Sequence, residues 1–344
     1  MAFLGRTAIP LRQIESANAQ LTASTAPRVV VFTGATAGIG KATLASLVSR
    51  GHPVRAYIIG RGDATRHAAL LDGLRASNPT AELIYLEGQL SRMRDVKKLA
   101  DSIASREDSV DALFLSAGFL PLGERKETEE GLEECFAVQY YSRVLLTLLL
   151  LPLLRRAQHP RVVVNLSGGF ESPTIPLDDL DLAQPRNSGV LPMLKALSTY
   201  VTLAFDRIAR ENPTVTVIHT HPGAVNTSIL GSGLHQAWGF LGTLASWVVW
   251  PFMWLFGFTP EQSGERCLYL LTNARYGGAG VPLPEGEARA TTVDGEVDGG
   301  ALFLVDMGMN SLKQEVVFAQ LRTEQADDKL WDHTMGKLKP FMGE

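Results

Sequence analysis

Short apolar runs alternate along this chain with longer stretches in which apolar positions recur every three or four residues. The runs lie at 29–32, 55–59, 83–86, 112–115, 161–166, 215–219 and 301–305, and each reads as a strand buried on both faces. Helical spacing predicts helices over 41–50, 64–76, 94–105, 128–155, 191–211 and 260–275, with a short one at 11–21 and a last one over 311–337. Strands that alternate with helices imply a parallel sheet wound by right-handed crossovers. The fold class expected is therefore α/β, a doubly wound parallel sheet of about seven strands with helices on both faces. It forms a single domain over 28–344, preceded by an N-terminal arm at 1–27. A helical extension over 311–338 decorates the sheet edge.

The first strand runs into Thr33-Gly34-Ala35-Thr36-Ala37-Gly38-Ile39-Gly40, and a helical pattern follows at once. In a strand–turn–helix–strand unit each glycine has a physical task. Gly34 makes the tight turn, Gly38 lets backbone approach a pyrophosphate, and Gly40 lets the helix pack close to the sheet. Phosphate then meets the free N–H groups at the helix start, in the loop that holds Thr36 and Ile39. A purely structural glycine turn is the alternative reading. The second strand ends in Gly60-Arg61. A carboxylate there would bind ribose hydroxyls, whereas an arginine suits a 2′-phosphate, so Arg61 favours NADP over NAD unless it is only a solvated surface residue.

Three motifs carry a resemblance. The spacing Thr33-Gly34-x-x-x-Gly38-x-Gly40, the Leu115-Ser116-Ala117-Gly118 stretch after the fourth strand, and Pro222-Gly223-x-x-x-Thr227 after the sixth are similar to the short-chain dehydrogenase/reductase superfamily. The resemblance spans about residues 11–338 and is closest over 28–230. It implies that Gln89 and Leu90 border the adenine, that Ser116, Ala117 and Gly118 let the cofactor pass, and that Pro222, Gly223, Val225 and Thr227 line the nicotinamide end. It also exposes departures. Gln139 stands where the family has an active-site Asn, Ser167 and Gly168 stand where it has two serines, and Leu191 stands where it has the tyrosine of Tyr-x-x-x-Lys. Lys195 is left of that pair, either to hold the nicotinamide ribose or as a surface lysine. Such departures resemble a divergent branch common in fungi. The resemblance implies an NADP-dependent oxidoreductase of an apolar carbonyl or alcohol, active in secondary metabolism, with Ser167, Gln139 or Tyr140 and Tyr141 among the substitute proton donors. Two alternatives stay open: a nucleotide-binding scaffold, and a redox-neutral cyclase or isomerase.

Charge and composition narrow the partners. A formal net charge of -4 gives no reason to expect nucleic acid. Cys135 and Cys267 lack metal-type spacing, so neither a metal site nor a disulfide framework is expected. Residues 1–6 lack the apolar core of a signal peptide, which implies a cytoplasmic address. Residues 237–258 carry no charge and several tryptophans. They read as part of a substrate flap over 228–258, as a peripheral membrane contact, or as core; a crossing is excluded because the run at 301–305 belongs to the same sheet. The leucines of the long helix suit a homo-oligomer interface or internal packing equally.

Overall fold

Near-continuous apolar strands need cover on both faces, and the computed structural model, which describes residues 8–120, 124–225 and 257–343, gives them that. Its strands are β1 (Val29–Thr33), β2 (Val54–Gly60), β3 (Ala81–Glu87), β4 (Ala112–Leu115), β5 (Arg161–Asn165), β6 (Thr216–Thr220), β7 (Phe303–Val305) and β8 (Ser311–Leu312). They lie in the order β3-β2-β1-β4-β5-β6-β7-β8. All neighbours pair in parallel except β7 and β8. The direction of winding reverses between β1 and β4, and a crevice opens there beyond the carboxyl ends of the strands.

Alternate residues of each strand feed two separate cores. Val31, Leu113, Val162 and Val217 face one side, while Val30, Phe32, Phe114 and Val163 face the other. On the second side lie α1 (Leu11–Asn18), α2 (Gly38–Val48), α3 (Ala68–Ser77) and α7 (Pro260–Thr272). The first side carries α4 (Met93–Ala104), α5 (Glu134–Leu154), α6 (Val190–Glu211), α8 (Glu315–Thr323) and α9 (Ala326–Leu338). Most leucines of α5 are taken up by packing inside the fold. Its apolar stretch is long enough to span a bilayer, yet 78% of that stretch is buried.

Three expectations are corrected. The sheet has eight strands, because the Asp306 carboxylate accepts from the N–H groups of Gly308 (2.8 Å) and Asn310 (2.9 Å) and turns the chain back. Residues 311–312 consequently pair antiparallel with β7 and do not begin a helix. The helix expected over 311–337 is also two helices, separated where Gln325 takes a left-handed φ of 53°. Helix α5 starts at Glu134 and not at 128, since Glu133 caps it by accepting from the Phe136 N–H at 2.8 Å. The apolar segment 237–258 lies outside the described residues except for Gly257 and Phe258.

One buried cation fastens the far end of β5. Arg161, 3% exposed, donates to the carbonyls of Leu270 (2.8 Å), Asn273 (2.9 Å), Tyr276 (2.8 Å) and Ala279 (2.8 Å). Those carbonyls close α7 and the loop after it, where the helix leaves acceptors unsatisfied and its dipole is negative. Burial pushes the guanidinium down to about 10, still charged at neutral pH. We expect Arg161→Met to strand these acceptors and cost at least about 3 kcal/mol in urea unfolding. A loss smaller than about 1 kcal/mol would show that other donors replace it.

Candidate active site

The crevice is shaped by glycine. Gly34 has φ 79°, and a Cβ on it would stand 2.6 Å from the backbone nitrogen of Ala117, so the chain leaving β1 can lie this close to the chain leaving β4 only with glycine here. A Cβ on Gly40 would meet the Gly34 carbonyl at 2.5 Å, so Gly40 serves helix packing and does not line the crevice. Helix α2 starts behind Ala37 with no side-chain cap. Its first N–H groups are thus left for a ligand, and the helix dipole favours an anion there.

The resulting cleft has a volume of about 600 Å³. Its outer half, over β1 to β3, is lined by Gly34, Thr36, Gly38, Ile39, Arg61, Gln89 and Leu90. Arg61 is exposed and makes no ion pair among the described residues. The inner half, beyond β4 to β6, is lined by Ser116, Ala117, Gly118, Gln139, Pro222, Gly223 and Val225, and also by Arg143, Asn165 and His221. Thr227 lies outside the described residues.

Gln139 holds the loop after β4: its Nε2 donates to the Phe119 carbonyl at 2.9 Å, and its Oε1 lies where a Cβ on Gly118 would need to be. Arg143, 2% exposed, donates to the carbonyls of Ala117 (2.7 Å) and Asn165 (3.2 Å). No carboxylate reaches it among the described residues, and burial pushes it down to about 9, so it stays cationic at neutral pH. Asn165 donates from Nδ2 to the Ser116 hydroxyl at 3.2 Å. His221 sits edge-on to Phe170 with ring centroids 4.8 Å apart. Burial lowers its pKa and outweighs the opposing effects of the Leu166 backbone and Asp306. Three buried atoms of this inner end have no hydrogen-bond partner among the described residues: Arg143 Nε, Asn165 Oδ1 and His221 Nδ1. Native interiors satisfy nearly all such groups, so this cluster fits a polar ligand that completes it.

Ser167 and Lys195 do not line this cleft. Helix α6 buries Met193, Ala196, Leu197 and Tyr200, which turns 191 and 195 to the opposite face. Leu191 is 70% exposed and Lys195 is exposed too. Gly168 admits no serine side chain, because a Cβ would stand 2.7 Å from the His219 carbonyl oxygen. Ser167 is instead held by its backbone. Its N–H donates to His219 Nε2 at 3.4 Å, and its carbonyl accepts from the Ser198 hydroxyl at 2.7 Å. Behind it lies Glu171, whose side chain is 0% exposed. This carboxylate accepts from the Gly169 N–H (3.0 Å), Thr202 (2.8 Å), Ser198 (3.3 Å) and Gln314 (3.1 Å). Thr202 also lies 2.7 Å from His219 Nδ1. With the Thr202 hydroxyl donating to Glu171, it must accept from Nδ1–H, and because Nε2 accepts from the Ser167 N–H, His219 is a neutral imidazole.

Burial, helped by Arg143 and His221, holds His219 down to about 3. The unfolded chain takes up this proton near the ordinary 6.5, whereas the folded chain does so only near 3. Stability contributed by the neutral imidazole is therefore present above 6.5 and lost as the pH falls through that window, at up to about 1.4 kcal/mol per pH unit. Urea unfolding at pH about 7, 6 and 5 should show this slope, and His219→Gln should lose it. An identical slope in the variant would assign the acid sensitivity to other groups.

Sequence reasoning overlooked Arg143, Asn165 and His221. Two of them carried a signal: Arg143 is the one charge inside the run 135–154, and His221 directly precedes Pro222-Gly223.

Comparison with known proteins agrees with this geometry. Residues 28–173 match the short chain dehydrogenase family. An NmrA-like family domain-containing oxidoreductase, notO, of Aspergillus sp. is 35% identical over 95% of this chain and 94% of its own length. Oxidoreductase andH of Emericella variicolor is 32% identical over 97% of this chain and 98% of its own. Human retinol dehydrogenase 14 is 30% identical over 72% of this chain and 74% of its own. Among solved structures, an uncharacterized protein from Mycobacterium paratuberculosis superposes with a TM-score of 0.57 at 18% identity, over 92% of this chain and 97% of that one, a likeness of fold alone.

Proposed function

The chain belongs to the short-chain dehydrogenase/reductase family, is an oxidoreductase of that type with a nicotinamide nucleotide as cofactor, and on that premise we propose that it uses NADP to act on an apolar carbonyl or alcohol. The observation that carries the NADP reading is Arg61, a guanidinium without an ion-pair partner among the described residues, directly after β2 and on the rim of the cleft. The acidic side chain that lines this cleft among the described residues, Glu134, stands on α5 and not beside the second strand. An arginine in that place matches a 2′-phosphate in charge and geometry.

The apolar substrate is supported by large exposed side chains around the inner end. Phe119 (38% exposed) lines the cleft, Phe170 (47%) packs on His221, and Met307 (40%) stands against Gly223. When bound, the nicotinamide ring supplies or accepts hydride. The residues of the chain do the rest. The glycine turn and the start of α2 bind phosphate, Gln139 and Arg143 fix the loop after β4, and His221 exchanges the substrate's proton at Nδ1, in place of the absent tyrosine. An imidazole in this role works through whichever protonation state the direction of reaction requires.

Two measurements test this reading. Titration with NADPH and NADH, followed by fluorescence and thermal shift, should show preferential NADPH binding, and Arg61→Ala should weaken NADPH by at least about tenfold while leaving NADH nearly unchanged. Absence of binding by either dinucleotide would favour the scaffold or redox-neutral alternatives. For any carbonyl found in a substrate screen, His221→Asn should lower turnover by roughly 10²- to 10⁴-fold. Because its pKa lies below the ordinary 6.5, reduction by the native protein should accelerate as the pH falls below that value and imidazolium appears. A flat profile, unchanged in the variant, would remove His221 from proton transfer.

A further inference from the structure

Resting on the cofactor reading above, we propose that Arg143 makes the inner end of the cleft select the reduced, uncharged nicotinamide over the oxidised, positively charged one. The guanidinium bridges the carbonyl of Ala117, just past β4, and that of Asn165, at the end of β5. These positions lie on the inner side of the reversal in winding, the half of the cleft left for the nicotinamide once the glycine turn holds the phosphates.

Among the described residues no charge cancels this one. Both partners of Arg143 there are neutral carbonyls, and Nε has none. Glu134 stands on the same helix nine residues earlier, roughly 13 Å away at 1.5 Å rise per residue. His219 and His221, the nearby imidazoles on β6 and the loop that follows it, are both shifted toward their neutral forms. Arg143 adds to that shift at His219.

A desolvated cation acts on other charges far more strongly than one in water. Oxidised nicotinamide brings a second positive charge into this field, whereas the reduced ring brings none. For two unit charges a few side-chain widths apart in a protein-like dielectric, the repulsion corresponds to roughly ten- to thirtyfold in affinity. The same charge stabilises negative charge as it develops on a carbonyl oxygen undergoing reduction.

Calorimetric titration of the full chain with NADPH and with NADP⁺ tests the inference without a substrate. The native protein should bind NADPH at least about tenfold more tightly than NADP⁺. Arg143→Lys, which keeps the charge, should preserve most of that ratio. Arg143→Met should bring the two affinities within about threefold, chiefly by strengthening NADP⁺. Equal affinities in the native protein overturn the proposal without any variant, which keeps it falsifiable if Arg143→Met fails to fold. A ratio unchanged in folded Arg143→Met also overturns it. Binding of neither dinucleotide by the native protein removes the cofactor reading and this inference together, whereas equal binding of both removes the inference alone.

Discussion

The approach of Gly34 to the backbone of Ala117 is the contact on which the site depends. Any side chain at Gly34 would push β1 and β4 apart at the place where their chains must leave in opposite directions. A second glycine pins the same region from outside. A Cβ on Gly264, in α7, would lie 2.7 Å from the Ala42 carbonyl of α2. Helix α2 is thus held between the turn it grows from and the helix behind it. Its uncapped start is fixed in space, and rigid free N–H groups bind an anion better than groups that must first be ordered.

Beyond that contact, the inner cleft draws its polar side chains from elements other than those the family pattern uses. Helix α6 carries no tyrosine into the cleft, and its remaining lysine faces away. Helix α5 and the end of β6 supply the titratable side chains of the inner end in its place. The face of α6 that packs inward is used for a different purpose. Through Ser198 and Thr202 it joins Glu171 and His219 in a buried network that immobilises the backbone of Ser167. Gln314 reaches the same carboxylate from the segment between β8 and α8, so the C-terminal elements also brace the loop after β5.

The parts of this structure legible in the sequence are those governed by local rules. Parallel strands buried on both faces must be apolar runs, and a glycine turn between a strand and a helix has few other uses. The placement of Lys195 was not legible, because a motif interval locates a residue along the chain but not around a helix axis. Only the burial of Met193, Ala196 and Tyr200 decides which face of α6 turns inward. The extra strand escaped for a similar reason. It exists because the Asp306 carboxylate folds the chain back on itself, and a two-residue strand has no periodicity to read. Arg143 was visible as a lone charge in an apolar run, but such a charge can be snorkelling at a surface as readily as buried at a site.

That guanidinium shows how fold and chemistry share one group. Removing a cation from water costs several kcal/mol, and an apolar side chain of similar size is often the more stable choice in a core. The cost at Arg143 is offset in part by its hydrogen bonds to the carbonyls of Ala117, just past β4, and Asn165, the last residue of β5. The hydrogen bonds that make the buried charge tolerable therefore also hold the two strand ends at the spacing that shapes the inner cleft. A leucine could fill the same volume, but it would leave both carbonyls without this donor and the cleft without its positive charge. One group thus supplies both the shape of the inner cleft and its charge.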